Sequence, residues 1–228
     1  NDVIDNSKIL SKKKYRPYYF YKNNNLLLDN SFTETKPYKI LSSVPGKLFI
    51  QVSQFSRIAQ LFRESYVQYY FKSQNNNLKN KSDTKKLVKS LEIKNLYEPK
   101  EKVWLEAWTI TEEIIKLINN DIRSKNKDFI LVTLSNPMQV HPNKRLVDKY
   151  LKNLNIKNLN YPDQRLENFA SKNDIKYINT ANKLNSIAID SKVFFHGFNN
   201  TKLGTGHWNK NGHDIASKII SSGICNFY

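Results

Sequence analysis

Residues 128–134, Asp-Phe-Ile-Leu-Val-Thr-Leu, are apolar almost without alternation and end at Ser135-Asn136-Pro137. A strand with one face in water alternates, so this run predicts a strand covered on both faces, as in a parallel sheet between helix layers. A helix is predicted over 101–123, with Trp104, Trp108, Thr111, Ile115, Ile118 and Ile122 on one side. Helical stretches near 143–154 and 162–173 follow the strand, then a short strand over 175–178, then a helix over 210–222 that buries Ile215, Ala216, Ile219 and Ile220. This order is the signature of an α/β domain. In such sheets the ligand crevice lies beyond the carboxyl ends of the strands. The loops after Leu134 and Ile178, and the loop before the last helix, should face it, bringing Asn136, His141 and the His207 segment to one side.

The first hundred residues read differently. The chain opens Asn1-Asp2-Val3-Ile4 with no Met, basic n-region or apolar h-region, so it reads as a segment whose own start and any targeting signal lie upstream. Residues 5–16 read as a loop. Tyr18-Tyr19-Phe20-Tyr21, Asn23-Asn24-Asn25 and Leu26-Leu27-Leu28 predict a β-hairpin. Over 46–72 the residues Leu48, Val52, Phe55, Ala59, Phe62, Tyr66 and Tyr69 recur at spacings of three and four, which predicts one long helix with its stripe in the core. Residues 73–86 predict a mobile surface loop.

The formal net charge is +17, yet 31 of the 37 basic residues are Lys. Selection for bidentate phosphate contacts favours Arg, so the charge is better explained by AT-rich coding on a tolerant surface than by a nucleic-acid partner. A single cysteine, Cys225, excludes an internal disulfide framework and a thiolate zinc cluster, and no run approaches a membrane span.

Glycine is more informative. Of six glycines, Gly197, Gly204, Gly206, Gly212 and Gly223 fall in the last 33 residues, together with His196, His207 and His213. Glycine concentrates where the backbone needs φ > 0 or close approach, and a His in such a loop can present its imidazole to a cleft. The block His207-Trp208-Asn209-Lys210-Asn211-Gly212-His213 before an amphipathic helix resembles the final catalytic block of SGNH/GDSL-type, lipase-like hydrolases. Asn1-Asp2 resembles the end of that family's Gly-x-Asn-Asp block.

The resemblance covers residues 1 to about 222 and implies a three-layer α/β/α flavodoxin-like sheet, N-terminally truncated. Residues 98–222 would form its core, and about 5–97 a helical and hairpin insertion that could act as a lid. It implies a bacterial serine esterase acting on small-molecule or polymer-linked acyl or acetyl esters without metal or organic cofactor, in the cell envelope or secreted. His207 is carried over as general base and Asn1 as oxyanion donor, while Asn136, His196 and Trp208 would line the substrate site. Gly-Asp-Ser would precede residue 1, so the chain as it stands would be catalytically incomplete and, with its sheet truncated, unstable on its own.

One position departs from the family, which usually has Asp three residues before the His, where this chain has Gly204. Either a backbone carbonyl or another acid orients His207, or the mechanism is a Ser–His dyad. The same departure leaves open a non-catalytic relative that binds carbohydrate or polymer. A zinc site from His196, His207 and His213 has poor spacing. His213 reads as packing or capping, His141 as a loop residue near substrate, and Ser31, Ser53 and Ser135 lack a nucleophile motif.

Overall fold

The computed structural model describes residues 2–11, 16–23, 25–76 and 93–228. It is mixed α/β and 57% helical, with two small sheets among the described residues. Two units divide it, Asn1–Glu92 with Lys102–Ile110, and Ile93–Glu101 with Thr111–Tyr228. Among the described residues no helix is long and apolar enough to cross a membrane.

In the first unit, helix α1 (Asp2–Asn6) occupies the start of the expected loop. Strands β1 (Tyr18–Lys22) and β2 (Asn25–Asp29) pair antiparallel from Tyr18↔Asp29 to Lys22↔Asn25. Asn23 enters the turn at φ 50°, a conformation that Asn tolerates better than most residues. The Lys8 ammonium ties the preceding segment to the hairpin through Asp29 at 2.5 Å.

After a single 3₁₀ turn (Ser31–Glu34) come α2 (Lys36–Ser42), α3 (Val44–Phe55) and α4 (Arg57–Asn76). The single helix predicted over 46–72 is therefore two. Ser56 takes extended backbone angles, and its Oγ accepts the Ala59 N–H at 3.3 Å, which ends one helix and caps the next. The stripe expected in the core lies open, with Phe55 90% and Tyr69 73% exposed. Residues 73–76 close α4 rather than opening a loop, and the rest of the predicted mobile loop, 77–86, lies outside the described residues.

Helix α5 (Lys102–Arg123) contributes residues to both units. Beyond it lie β3 (Ile130–Thr133), α6 (Lys144–Leu154), α7 (Tyr161–Lys172), β4 (Lys176–Asn179), α8 (Ala181–Ser191) and α9 (Lys210–Cys225). Strands β3 and β4 pair in parallel from Ile130↔Lys176 to Thr133↔Asn179, joined by the crossover through α6 and α7 that parallel pairing requires. All four β3 residues are half-buried instead of covered on both faces, because among the described residues this sheet has only two strands.

The second unit's core is Val140, Ile178, Leu184, Ala188, Phe195, Ala216 and Ile219, with Ile215 and Ile220 packed against it. Helix α7 is held to α5 by the Arg165 guanidinium, which donates Nε to one Glu112 oxygen at 2.6 Å and Nη2 to the other at 2.9 Å. Leu184 is fully buried in this core. Leu184→Ala should lower the unfolding free energy by about 2–5 kcal/mol, seen as a lower urea midpoint with unchanged slope.

Candidate functional site

The loop that leaves β3 is fastened before it reaches His141. Buried Gln139 accepts the Asn136 N–H at 2.7 Å and donates to Leu159 O at 3.0 Å and to buried Asp163 at 2.6 Å. Asn185 Nδ2 donates to Gln139 O at 2.5 Å, and Thr180 Oγ1, just after β4, donates to Thr133 O at 2.7 Å. Every strongly polar group in this buried region thus has a partner, as low-dielectric surroundings require.

The tail, 194–209, doubles back on itself. Gly197 N–H donates to His207 O at 3.0 Å, Gly204 N–H to His196 O at 2.8 Å and Asn209 N–H to Phe195 O at 2.9 Å, with His196 and Trp208 facing each other in an antiparallel bridge. Asn209 is the N-cap of α9, its Oδ1 accepting the Gly212 N–H at 2.9 Å while its Nδ2 donates to Phe194 O at 2.8 Å. A Cβ on Gly212 would come within 2.3 Å of Phe195 O, so glycine is required there. Trp208 Nε1 donates to Ser135 Oγ at 3.1 Å, and the Trp208 ring meets that of His213 edge-on at 5.7 Å.

In the block, Trp208, Asn209, Gly212 and His213 therefore have mechanical roles. The His207 side chain is exposed, and among the described residues no hydrogen bond or ion pair engages its imidazole. The other loop histidines are committed. Buried His141 accepts the Asn143 N–H on Nδ1 at 3.1 Å and meets the Phe194 ring at 5.3 Å. Buried His196 has Nδ1 2.8 Å from Gly206 O and Nε2 3.5 Å from Ser135 Oγ. Burial is the main cause holding both below the ordinary histidine value of 6.5.

The structure thus brings together the loop after β3, carrying Ser135 and His141, and the tail carrying His196, His207 and Trp208. Asn136 is half-buried, and its Oδ1 is occupied by the Met138 N–H at 3.0 Å. Asn1 lies outside the described residues. No group of three His, Cys, Asp or Glu disposed to hold a metal occurs among the described residues. Gln139 and Asp163 carry no sequence signal for this region, because single polar residues 20 to 24 positions from their partners leave no periodic or motif pattern.

Gly204 has a physical explanation. At φ +75° it lies in the left-handed region, and a Cβ there would come within 2.8 Å of the Cδ2 and Nε2 of His141. His141 fills the space that an acid at 204 would need. The chain matches no family model, no curated protein and no solved structure.

Gly204→Asp should cost about 1–3 kcal/mol of stability through strain and overlap, measurable by urea unfolding. For the lowered histidines the unfolded chain takes up protons first, so their contribution to stability is lost as pH falls below 6.5. Asp163, raised chiefly by burial, acts in the opposite sense as pH rises from 3.8. Unfolding curves should show lower stability at about pH 5.5 than at about pH 7, and a smaller difference in His141→Asn.

Proposed function

We propose that this chain carries the general-base half of an SGNH/GDSL-like serine esterase with a flavodoxin-like three-layer core, acting on acyl or acetyl esters. The observation that carries the reading is His207, an exposed imidazole that no hydrogen bond or ion pair engages among the described residues, on a loop fastened on both sides through Gly204, Trp208 and Asn209. Such an arrangement limits the motion of the base without occupying its nitrogens, which favours proton transfer.

In the proposed reaction a serine hydroxyl from a Gly-Asp-Ser element upstream of Asn1 attacks the ester carbonyl. His207 takes the hydroxyl proton and returns it to the departing alkoxide, and water then repeats the sequence on the acyl-enzyme. Asn1 would donate its amide to the oxyanion, as the family resemblance implies. Among the described residues no carboxylate pairs with His207, so the reading is of a Ser–His dyad.

The lack of a carboxylate at His207 among the described residues also favours a second reading, a non-catalytic SGNH-fold protein that binds carbohydrate or polymer. One experiment separates the two. Extending the coding sequence upstream should reveal a Gly-Asp-Ser element after a strand, and the full-length protein should hydrolyse p-nitrophenyl acetate. His207→Ala should then lower kcat by about 10³- to 10⁶-fold. An upstream sequence without the serine element, or a rate unaffected by His207→Ala, removes the esterase reading.

A further inference from the structure

Buried Ser135 and His196 join two loops 61 residues apart in sequence, beside His207 and without contributing to the proposed chemistry. Their proton arrangement follows from the ends of the chain they form. At one end the Trp208 indole N–H, which can only donate, points at Ser135 Oγ at 3.1 Å. At the other the Gly206 carbonyl, which can only accept, lies 2.8 Å from His196 Nδ1.

Nδ1 must therefore carry a proton, and in the neutral ring that burial favours, Nε2 then offers its lone pair to the Ser135 hydroxyl across a long 3.5 Å contact. All four groups are satisfied with His196 neutral. Gly206 is the residue immediately before His207, the His196 carbonyl also accepts the Gly204 N–H, and the bridge that sets His196 opposite Trp208 is closed by Gly197 N–H to His207 O and Asn209 N–H to Phe195 O. The chain from Trp208 through Ser135 and His196 thus closes on the peptide that carries the exposed imidazole.

We infer that His196 is a positioning residue: as a neutral Nδ1–H imidazole supported by Ser135, it holds the Gly206 carbonyl and thereby aims His207. This rests on the catalytic reading of His207. Asn at 196 can place an amide N–H near the site of Nδ1–H and keep the bond to Gly206, whereas Gln reaches the site of Nε2 and keeps only the Ser135 end. A purely space-filling role would not distinguish them in that order.

The test uses the full-length protein. Long-range ¹H–¹⁵N spectra of ¹⁵N-histidine-labelled enzyme at neutral pH should show His196 as the Nδ1–H tautomer, and the Nε2–H tautomer or an imidazolium overturns the assignment. With p-nitrophenyl acetate, His196→Asn should keep kcat within about fivefold, while His196→Gln should lose about 10- to 100-fold with KM changed less than about twofold. Equal losses, or the reverse order, overturn the positioning role. If His207→Ala leaves the rate unchanged the catalytic reading fails, and the tautomer still decides whether His196 holds the loop. The spectrum is taken on unmutated protein, so a variant that fails to fold does not remove the test.

Discussion

The tail loop depends on Phe195. Its ring is 2% exposed within the core made by Leu184, Ala188, Ala216 and Ile219, and its carbonyl accepts the Asn209 N–H just before α9. The same carbonyl sits where a side chain at Gly212 would have to go. Hydrophobic packing of one ring thus sets the backbone from which α9 starts, and the intervening loop is pinned at both ends. Ordering a free loop of this length would cost on the order of 1 kcal/mol per residue, and a loop anchored in the core meets that cost as part of folding. Precision at His207 is therefore inherited from the core.

Burial separates the three loop histidines by chemistry. His141 and His196 have lost solvent, spend ring nitrogens on internal partners and are shifted by burial toward the neutral form, whereas among the described residues nothing engages the nitrogens of His207. A charge on His207 also discourages one on His196. Under the proposed reading one imidazole can cycle its proton while its neighbour stays fixed in a single tautomer, the division of labour expected when environments push equivalent groups apart.

What was legible in the sequence follows physical lines. The parallel strand pair, α5, α6, α7 and α9 are readable because long apolar periodicity or a dense apolar run records which side is buried. Helix α8 was missed because Asn182, Asn185, Ser186 and Ser191 give it weak propensity; it is held by burying Leu184 and Ala188, a tertiary effect invisible to local rules. The division between α3 and α4 was hidden because the cap at Ser56 breaks the backbone without disturbing the three-and-four spacing of the side chains. That spacing records amphipathicity, and it misled about burial, since the α3–α4 stripe is exposed. In the tail, the clustered glycines marked a loop that folds back on itself, but the link from Ser135 to His196 joins residues with no sequence relation.

The contact between Gly204 and His141 bears on how such a chain can change by descent. An acid at 204 and an imidazole at 141 compete for one small volume, so the two positions are coupled even though 63 residues separate them. A lineage that gains the acid meets the least strain and overlap if it has already given up the ring, and one that keeps the ring favours glycine. Among homologues the two residues should be anticorrelated, and glycine at 204 is then held in place by a neighbour, as a historical ratchet.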